Sequence, residues 1–265
     1  MAVVGVPGYI GTSARDETGQ NYMSAARSVL RLSAYGGYMS EMAGRTKEIE
    51  IDLYANHGFD WATLVNEINS RGVAGNAFKV TIYGDLVGYT TGTPTLYFPA
   101  SFASCAYIKL VNNATLYGRG GDGGTAGSRE GKAGGVCITN EIGGKLQIEN
   151  NGAICGGGGG GGGSSVGSSL SSGGSGGRPF GAAGIGEGRD KVDGYAASLG
   201  SPGAQPPASR YGSIGGYGGE VGSPGGSGNK AGDQAQGYPG GATGWAVNGN
   251  SPTWLKVGVI YGSRV

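Results

Sequence analysis

Few residues in this chain stand at spacings that do chemistry on a substrate. A hydrolytic triad needs a nucleophile, a base and an orienting acid. The chain has one histidine, His57, close to Asp60, and no GxSxG elbow accompanies it. Gly118-Arg-Gly-Gly-Asp-Gly123 matches GxGxxG in form. Glycine-rich sequence produces that match cheaply, and no predicted helix follows it to hold a phosphate, so nucleotide binding does not follow. Cys105, Cys137 and Cys155 have neither CxxC nor paired spacing and read as small buried hydrophobes. Aspartates and glutamates are scattered, and nothing implies a metal or a cofactor. A non-enzymatic protein is expected. The chemistry that remains is recognition: Arg189, Asp190, Lys191, Tyr195, Arg210, Tyr211, Lys230 and Asp233 combine directional charge with amphipathic rings inside otherwise bland segments. The plainer alternative for each is an exposed turn residue with no partner.

The elements that must carry these residues fall into two compositions. The chain holds 62 glycines and 10 prolines in 265 residues, a fraction that ordinarily signals disorder. Glycine, however, is concentrated between residues 156 and 250, where only ten Val, Ile, Leu, Phe, Met or Trp residues occur. That is too few for an apolar core of ordinary size, so backbone hydrogen bonds must hold the region if it folds. The formal net charge of +1 supplies no basic field for nucleic acid. Met1 to Ser13 lacks the pattern of a secretory leader, and no long apolar run predicts a membrane span, so synthesis in the cytoplasm is expected.

Residues 1–117 read as an α+β unit. Tyr22, Ala25, Ala26, Val29 and Leu30 recur at helical spacing between Thr18 and Arg31. A second helix is predicted from Asp60, a capping residue, to Arg71, with Trp61, Leu64, Val65 and Ile68 on one face and Gly72 at the exit. Strands are predicted around Phe78 to Ile82, at Leu86, at Leu96 to Phe98 and at Tyr107 to Val111. The run from Ile108 to Gly121 aligns without gaps on Leu146 to Gly159, each a strand, an Asn-Asn corner, a strand and a glycine run. The corners Asn112-Asn113 and Asn150-Asn151 are expected to adopt left-handed backbone angles. This repeat predicts stacked, β-helix-like strands that feed straight into glycine segments.

Those segments suit a left-handed threefold helix. Proline's fixed φ lies near that of polyproline II, and glycine reaches the same angles freely, so the Gly-x-Pro-Gly blocks at 200–203, 222–225 and 237–240 fit it. A helix enclosed on all sides admits only glycine. Gly156, Gly157, Gly158, Gly159, Gly160, Gly161, Gly162 and Gly163 supply such a run, whereas blocks interrupted by serine, as at Ser175, are expected at the periphery with the side chain turned outward.

Several ordered blocks resemble one family. Thr18 to Met23, Tyr38 to Arg45, Tyr83 to Val87, Gly118 to Gly124, Asn140 to Leu146 and the octaglycine are similar to the receptor-recognising adhesins at the tip of the long tail fibres of T-even-type bacteriophages. The resemblance implies a fibre-attachment domain over 1–117 and a receptor-binding domain of packed polyglycine-II helices over 118–250. A C-terminal strand over 251–265 would return to the body. It also implies a virion location at the fibre tip, one copy per trimeric distal fibre subunit, and an outer-membrane protein or lipopolysaccharide as receptor. By block position the variable loops would be Thr125 to Lys132, Ser164 to Ser172, Glu187 to Leu199, Ala204 to Ile214 and Asn229 to Gln236. Tyr22, Met23, Val29, Leu30, Tyr38 and Met42 expose more apolar area than a small unit can cover, and are expected to dock the fibre end. A glycine-rich elastic protein and a depolymerase-type tail enzyme are the alternatives from other classes.

Overall fold

The structure is a computed structural model that describes residues 3, 10–30, 32–44, 47–125, 128–167, 169–230 and 235–265. Helix α1 (Ile10–Thr18) stops where Gly19 takes φ +69° and returns its N–H to the Arg15 carbonyl at 2.7 Å. Helix α2 (Met23–Val29) follows. The helix expected over 18–31 is therefore shorter, because Gly19 breaks the chain direction first; Arg31 lies outside the described residues. Val3, Ala14, Ala26, Leu30 and Met42 form a small separate core. Arg27 is buried beside it, and its guanidinium donates to the carbonyls of Ser33 (2.7 Å) and Tyr38 (2.8 Å) and to Glu41 (2.8 Å). A Cβ at Gly37 would overlap that guanidinium, so a side chain there would have to displace Arg27 from these bonds.

From residue 48 the chain coils through stacked parallel strands. The first turn comprises β1 (Glu48–Leu53), β2 (Asn56–Phe59) and helix α3 (Trp61–Ser70). The second comprises β3 (Ala77–Ile82), β4 (Leu86–Gly88) and β5 (Leu96–Phe98). The third comprises β6 (Tyr107–Asn112), β7 (Thr115–Tyr117) and β8 (Ile138–Asn140), and the fourth begins with β9 (Leu146–Asn150) and β10 (Ala153–Cys155). A long excursion, containing β11 (Ser164–Val166), β12 (Ser169–Ser172) and β13 (Ala235–Gly237), separates β10 from β14 (Val247–Gly249). The coil ends with β15 (Thr253–Lys256) and β16 (Val259–Tyr261). Parallel pairing yields three sheets: β1-β3-β6-β9-β15, β2-β4-β7-β10-β16 and β5-β8-β14.

Helix α3 occupies the place that third-sheet strands take in later turns, with Trp61 edge-on to Tyr97 at 5.2 Å between ring centres. Asp60 caps it by accepting from the Ala62 N–H at 3.0 Å, and Leu64 and Ile68 face the interior, as the sequence predicts. Parallel stacking aligns like side chains in columns: Val80, Leu110 and Ile148 occupy one inward column, Phe78, Ile108 and Leu146 another. The apolar core does not stop at Tyr117, because Cys137, Ile138, Ile154, Ala246 and Val247 belong to it.

The sequence repeat is two adjacent turns of this coil. Ile108 pairs with Leu146, Asn112 with Asn150 and Leu116 with Ile154, the same register as the gap-free alignment. The asparagines work differently from the expectation: among the described residues the only non-glycine with a left-handed φ is Phe180. Their side chains, rather than unusual backbone angles, hold the corner. Asn112 Nδ2 donates to Asn150 Oδ1 (2.8 Å) and to the Ala153 carbonyl (3.1 Å). Asn150 Nδ2 reaches the carbonyls of Val257 (2.7 Å) and Val259 (3.0 Å) in the next turn. That last contact, together with Gly258 at φ +61°, divides the C-terminal segment into two strands instead of the single one expected.

Glycine segments leave the coil directly from β7 and β10, and their packing centres on 156–163. Its N–H groups serve three neighbours in rotation. Gly157, Gly160 and Gly163 donate to Gly135, Lys132 and Arg129; Gly158 and Gly161 to Arg178 and Ser175; Gly159 and Gly162 to Ser223 and Gly226, all at 2.7–3.0 Å. Its carbonyls serve three more: Gly157, Gly160 and Gly163 accept from Gly244, Gly241 and Tyr238, Gly158 and Gly161 from Gly121 and Gly124, and Gly159 and Gly162 from Gly219 and Gly216. The segment is buried throughout. A Cβ at any position from Gly156 to Gly162 would overlap a neighbour's carbonyl oxygen. A period of three and an absence of room for side chains explain why glycine is unbroken here.

Two expectations need correction. Ser175 is not peripheral: it is fully buried, donating to the Ala204 carbonyl (2.6 Å) and accepting from the Tyr195 N–H (2.9 Å). A small hydroxyl with two partners fits inside the bundle, because it supplies hydrogen bonds as well as occupying space. The blocks at 200–203 and 222–225 are not uninterrupted extended segments either: residues 198–201 form a hydrogen-bonded reversal, and Gly222 takes φ +70° in another.

Candidate functional site

Hydrogen-bond direction places the reversals of the excursion. Segment 118–124 runs alongside 156–163 in the same sense, whereas 129–135, 173–178, 215–219 and 238–244 run against it. The chain therefore turns at two levels. Reversals at 178–181, 198–201 and 220–223 lie beside the coil, where Leu199, Phe180 and Val221 pack on Val87, Tyr117 and Cys155. Residues 125–128, 164–172, 187–193, 204–214 and 229–236 turn at the opposite end; 126–127, 168 and 231–234 lie outside the described residues.

At that end the connections touch one another. Strands β11, β12 and β13 form an antiparallel sheet. Thr125 and Ile185 exchange hydrogen bonds at 3.3 and 3.4 Å, and isolated bridges join Ser172 to Val192 and Ile214 to Asn229. Arg129 donates to the Tyr238 hydroxyl at 2.7 Å and lies over its ring, while the hydrogen bonds of Ser165 and then Arg129 hold that phenol below its usual pKa. Arg210 and Asp190 approach to 3.5 Å across two connections, and Lys191 pairs with Asp193 at 3.5 Å. Such exposed pairs add little stability, but they set the spacing of charge on the surface.

The sequence-predicted recognition residues are distributed over this end. Arg189, Asp190 and Lys191 occupy the 187–193 connection, and Arg210 and Tyr211 the turn at 209–213, with Tyr211 58% exposed. Lys230 is exposed beside Asn229. Asp233 lies outside the described residues. Tyr195 is different: its carbonyl accepts from Gly176 N–H (2.8 Å), so its backbone already belongs to the bundle and its ring projects from the side. The expected loop 187–199 thus ends near residue 193, and residues 194–199 run back towards the coil because Gly194 and Ala197 bond to Gly184 and Gly181. Sequence reading missed Ile185, exposed next to the connection, and the buried serines beneath it; a serine amid glycine carries no local mark of burial.

Of the residues assigned to fibre docking, Tyr22 and Tyr38 are each 78% exposed, and Met23 is exposed. Val29 is half-buried and lines a groove of about 890 Å³ with Asp16, Glu17, Lys47, Glu48, Lys79 and Lys109 among others. Leu30 and Met42 are not surface residues: each is 1% exposed, because the short helices need them as core. No group of three or more His, Cys, Asp or Glu able to hold a metal occurs among the described residues. The cysteines are free and buried, and burial pushes the Cys155 thiol up to about 12 and Cys137 well above its usual value, which keeps both as unreactive thiols. No helix among the described residues is long and apolar enough to cross a membrane.

Comparison with known proteins gives this arrangement a family. Residues 48–265 match the family model for phage tail fibre adhesin Gp38, and residues 1–43 match the model for the Gp38 N-terminal domain. The receptor-recognizing protein gp38 of Salmonella phage S16 is 43% identical over 265 residues, covering 99% of each chain. The chain belongs to the phage tail fibre adhesin Gp38 family. A solved relative, in the crystal structure of the gp37–gp38 adhesin tip complex of the bacteriophage S16 long tail fiber, matches all of this chain and all of its own with a TM-score of 0.74 and 39% identity. The mostly parallel sheets and few helices of this Gp38-family chain agree with that structure.

Proposed function

We propose that this chain is the non-enzymatic, receptor-recognising adhesin at the tip of a phage tail fibre, and that the end of the glycine bundle away from the coil carries its receptor site. The observation behind this reading is the gathering of five connections at that one end, of which 187–193 and 204–214 bring Arg189, Asp190, Lys191, Arg210 and Tyr211 together there. A bundle held by backbone bonds keeps its form while connection sequences change, which suits a protein that sets host range by loop variation. The same bonds disfavour an elastic role. The three-residue bonding period supports reading the glycine segments as polyglycine-II helices. An outer-membrane protein or lipopolysaccharide is the proposed receptor. The deciding experiment is adsorption of the purified protein to a host strain and to its surface-receptor mutants; equal adsorption to both sinks the proposal.

Within that site, Tyr211→Ala removes the most exposed ring of the 209–213 turn. Adsorption affinity is expected to fall by about 5- to 150-fold, the range of an interface anchor, with the unfolding midpoint unchanged. Equilibrium binding to intact cells measures it, and an unaltered affinity would move the site towards 125–128 or 229–236.

The attachment function belongs, in this proposal, to the N-terminal part, with a gp37-like distal fibre subunit as partner and one adhesin on a trimeric end. The adhesin would be made in the host cytoplasm and carried on the virion. Tyr22 and Met23 offer adjoining exposed apolar area, and Tyr38 offers more on the same unit. Tyr22→Asp with Met23→Asp is expected to lower co-purification with the fibre subunit at least about tenfold while leaving the coil folded, since burying an unpaired carboxylate costs several kcal/mol. Full retention of the complex would place the docking surface elsewhere.

A further inference from the structure

The connections at the far end of the bundle are fastened to one another through a layer of buried hydroxyls. Ser164, Ser165, Ser171, Ser172, Ser209 and Ser213 are all buried, in a region with almost no apolar side chains. Ser213 Oγ sits between the Oγ atoms of Ser209, at 2.7 Å, and Ser171. Ser209 N–H also donates to the Ser213 carbonyl at 2.8 Å, closing the 209–213 turn on itself. Ser172 Oγ accepts from the Gly215 N–H at 2.9 Å, and Ser164 Oγ donates to the Asn229 carbonyl at 2.5 Å. One segment, 164–172, thereby contacts three other connections, since its Ser172 also bridges Val192.

We infer that Ser171 and Ser213 are positioning residues for receptor recognition: their paired hydroxyls hold the 209–213 turn, and with it Tyr211 and Arg210, at a set height above the 164–172 platform. This rests on the proposed receptor site. Ser171 Oγ has a second partner in the Ser164 carbonyl at 3.3 Å, and Ser213 Oγ has one in Ser209, so removing either hydroxyl does not orphan the other. It cuts the side-chain bond that joins the turn to the platform, and that frees the turn. It follows that the 164–172 segment acts chiefly as a platform that locks its neighbours, and that exchanging the 204–214 connection alone between relatives leaves that connection unlocked unless its serines are kept.

Ser171→Ala and Ser213→Ala, made in the full chain, test this by amide hydrogen exchange together with adsorption to a susceptible strain. Exchange at Ser209 and Gly212, whose N–H groups bond to the Ser213 and Ser209 carbonyls, is expected to accelerate about tenfold while protection of Gly156 to Gly163 stays unchanged. Adsorption is expected to weaken in parallel although neither serine reaches the surface. Unchanged exchange in the turn overturns the inference, and so does an equal loss of protection throughout the bundle, because the serines would then serve general stability. The two readings separate cleanly: a loosened turn with intact adsorption, and no effect of Tyr211→Ala, upholds the positioning contact and overturns the location of the receptor site. Restoration of exchange protection in Ser213→Thr, which keeps the hydroxyl, supports the hydrogen bond over simple packing.

Discussion

Gly159→Val is expected to destabilise the protein by at least about 3 kcal/mol and to abolish cooperative folding of the glycine region. The side chain would have to enter the space of the Gly241 carbonyl oxygen, and the next nearest atoms are also backbone, from Gly241 and Gly225. No rotamer relieves that overlap, because Cβ itself is the clashing atom. Moving the neighbour would break the bond from the Gly225 N–H to the Gly241 carbonyl (2.9 Å) and the one from the Gly241 N–H to the Gly160 carbonyl (2.7 Å). Gly200→Ala is the control. Nothing lies within 4 Å of a Cβ there and its φ is not left-handed, so a change within about 0.5 kcal/mol is expected. Thermal unfolding followed by circular dichroism and by hydrogen exchange at Gly156 to Gly163 compares the two. Similar midpoints for both variants would show that the bundle does not depend on close backbone approach.

The second large effect is expected at the corner of the coil. Asn150→Leu should cost about 3 kcal/mol, although the substitution keeps approximate volume. It deprives the Val257 and Val259 carbonyls of a side-chain donor and the buried Asn112 amide of one of its two acceptors. Asn151 is the neighbouring comparison: it is exposed, bonds Asn113 through side chains at 2.9 Å, and its change to Ala should fall within about 0.5 kcal/mol. Urea unfolding measures both. A loss at Asn150 no larger than at Asn151 would mean that the asparagine ladder is replaceable by apolar packing. The C-terminal strands should also detach first in Asn150→Leu, because two of the bonds that join the corner before β16 to the preceding turn come from the Asn150 side chain.

Local patterns predicted local structure well where one segment satisfies its own needs. Helix α3 is an example: Asp60 caps it, Leu64 and Ile68 fall on one face, and Gly72 leaves it, all within a dozen residues. The repeat was equally legible, since a strand stacked on the next turn needs like residues at like positions. Elements failed where the deciding contact came from afar. Leu30 and Met42 look like surface residues in so short a unit, yet Val3 and α1 cover them. Nothing in the local sequence marks Arg27 as interior, yet the carbonyls of Ser33 and Tyr38 take it inside.

By itself the sequence pointed to recognition by loop residues, and it determined that stacked strands lead into glycine segments and that 156–163 must be enclosed on every side, because only glycine tolerates backbone on all faces. Tertiary structure alone decided which segments surround it, which connections share the outer end, that 194–199 belongs to the bundle, and that serines such as Ser175 and Ser213 are interior. The physical reason is the same in each case. A glycine segment bonds to neighbours through main-chain groups that every residue possesses, so nothing in its side chains names the partner, and the choice is made by the ends of β7, β10, β8 and β14 to which the segments are joined.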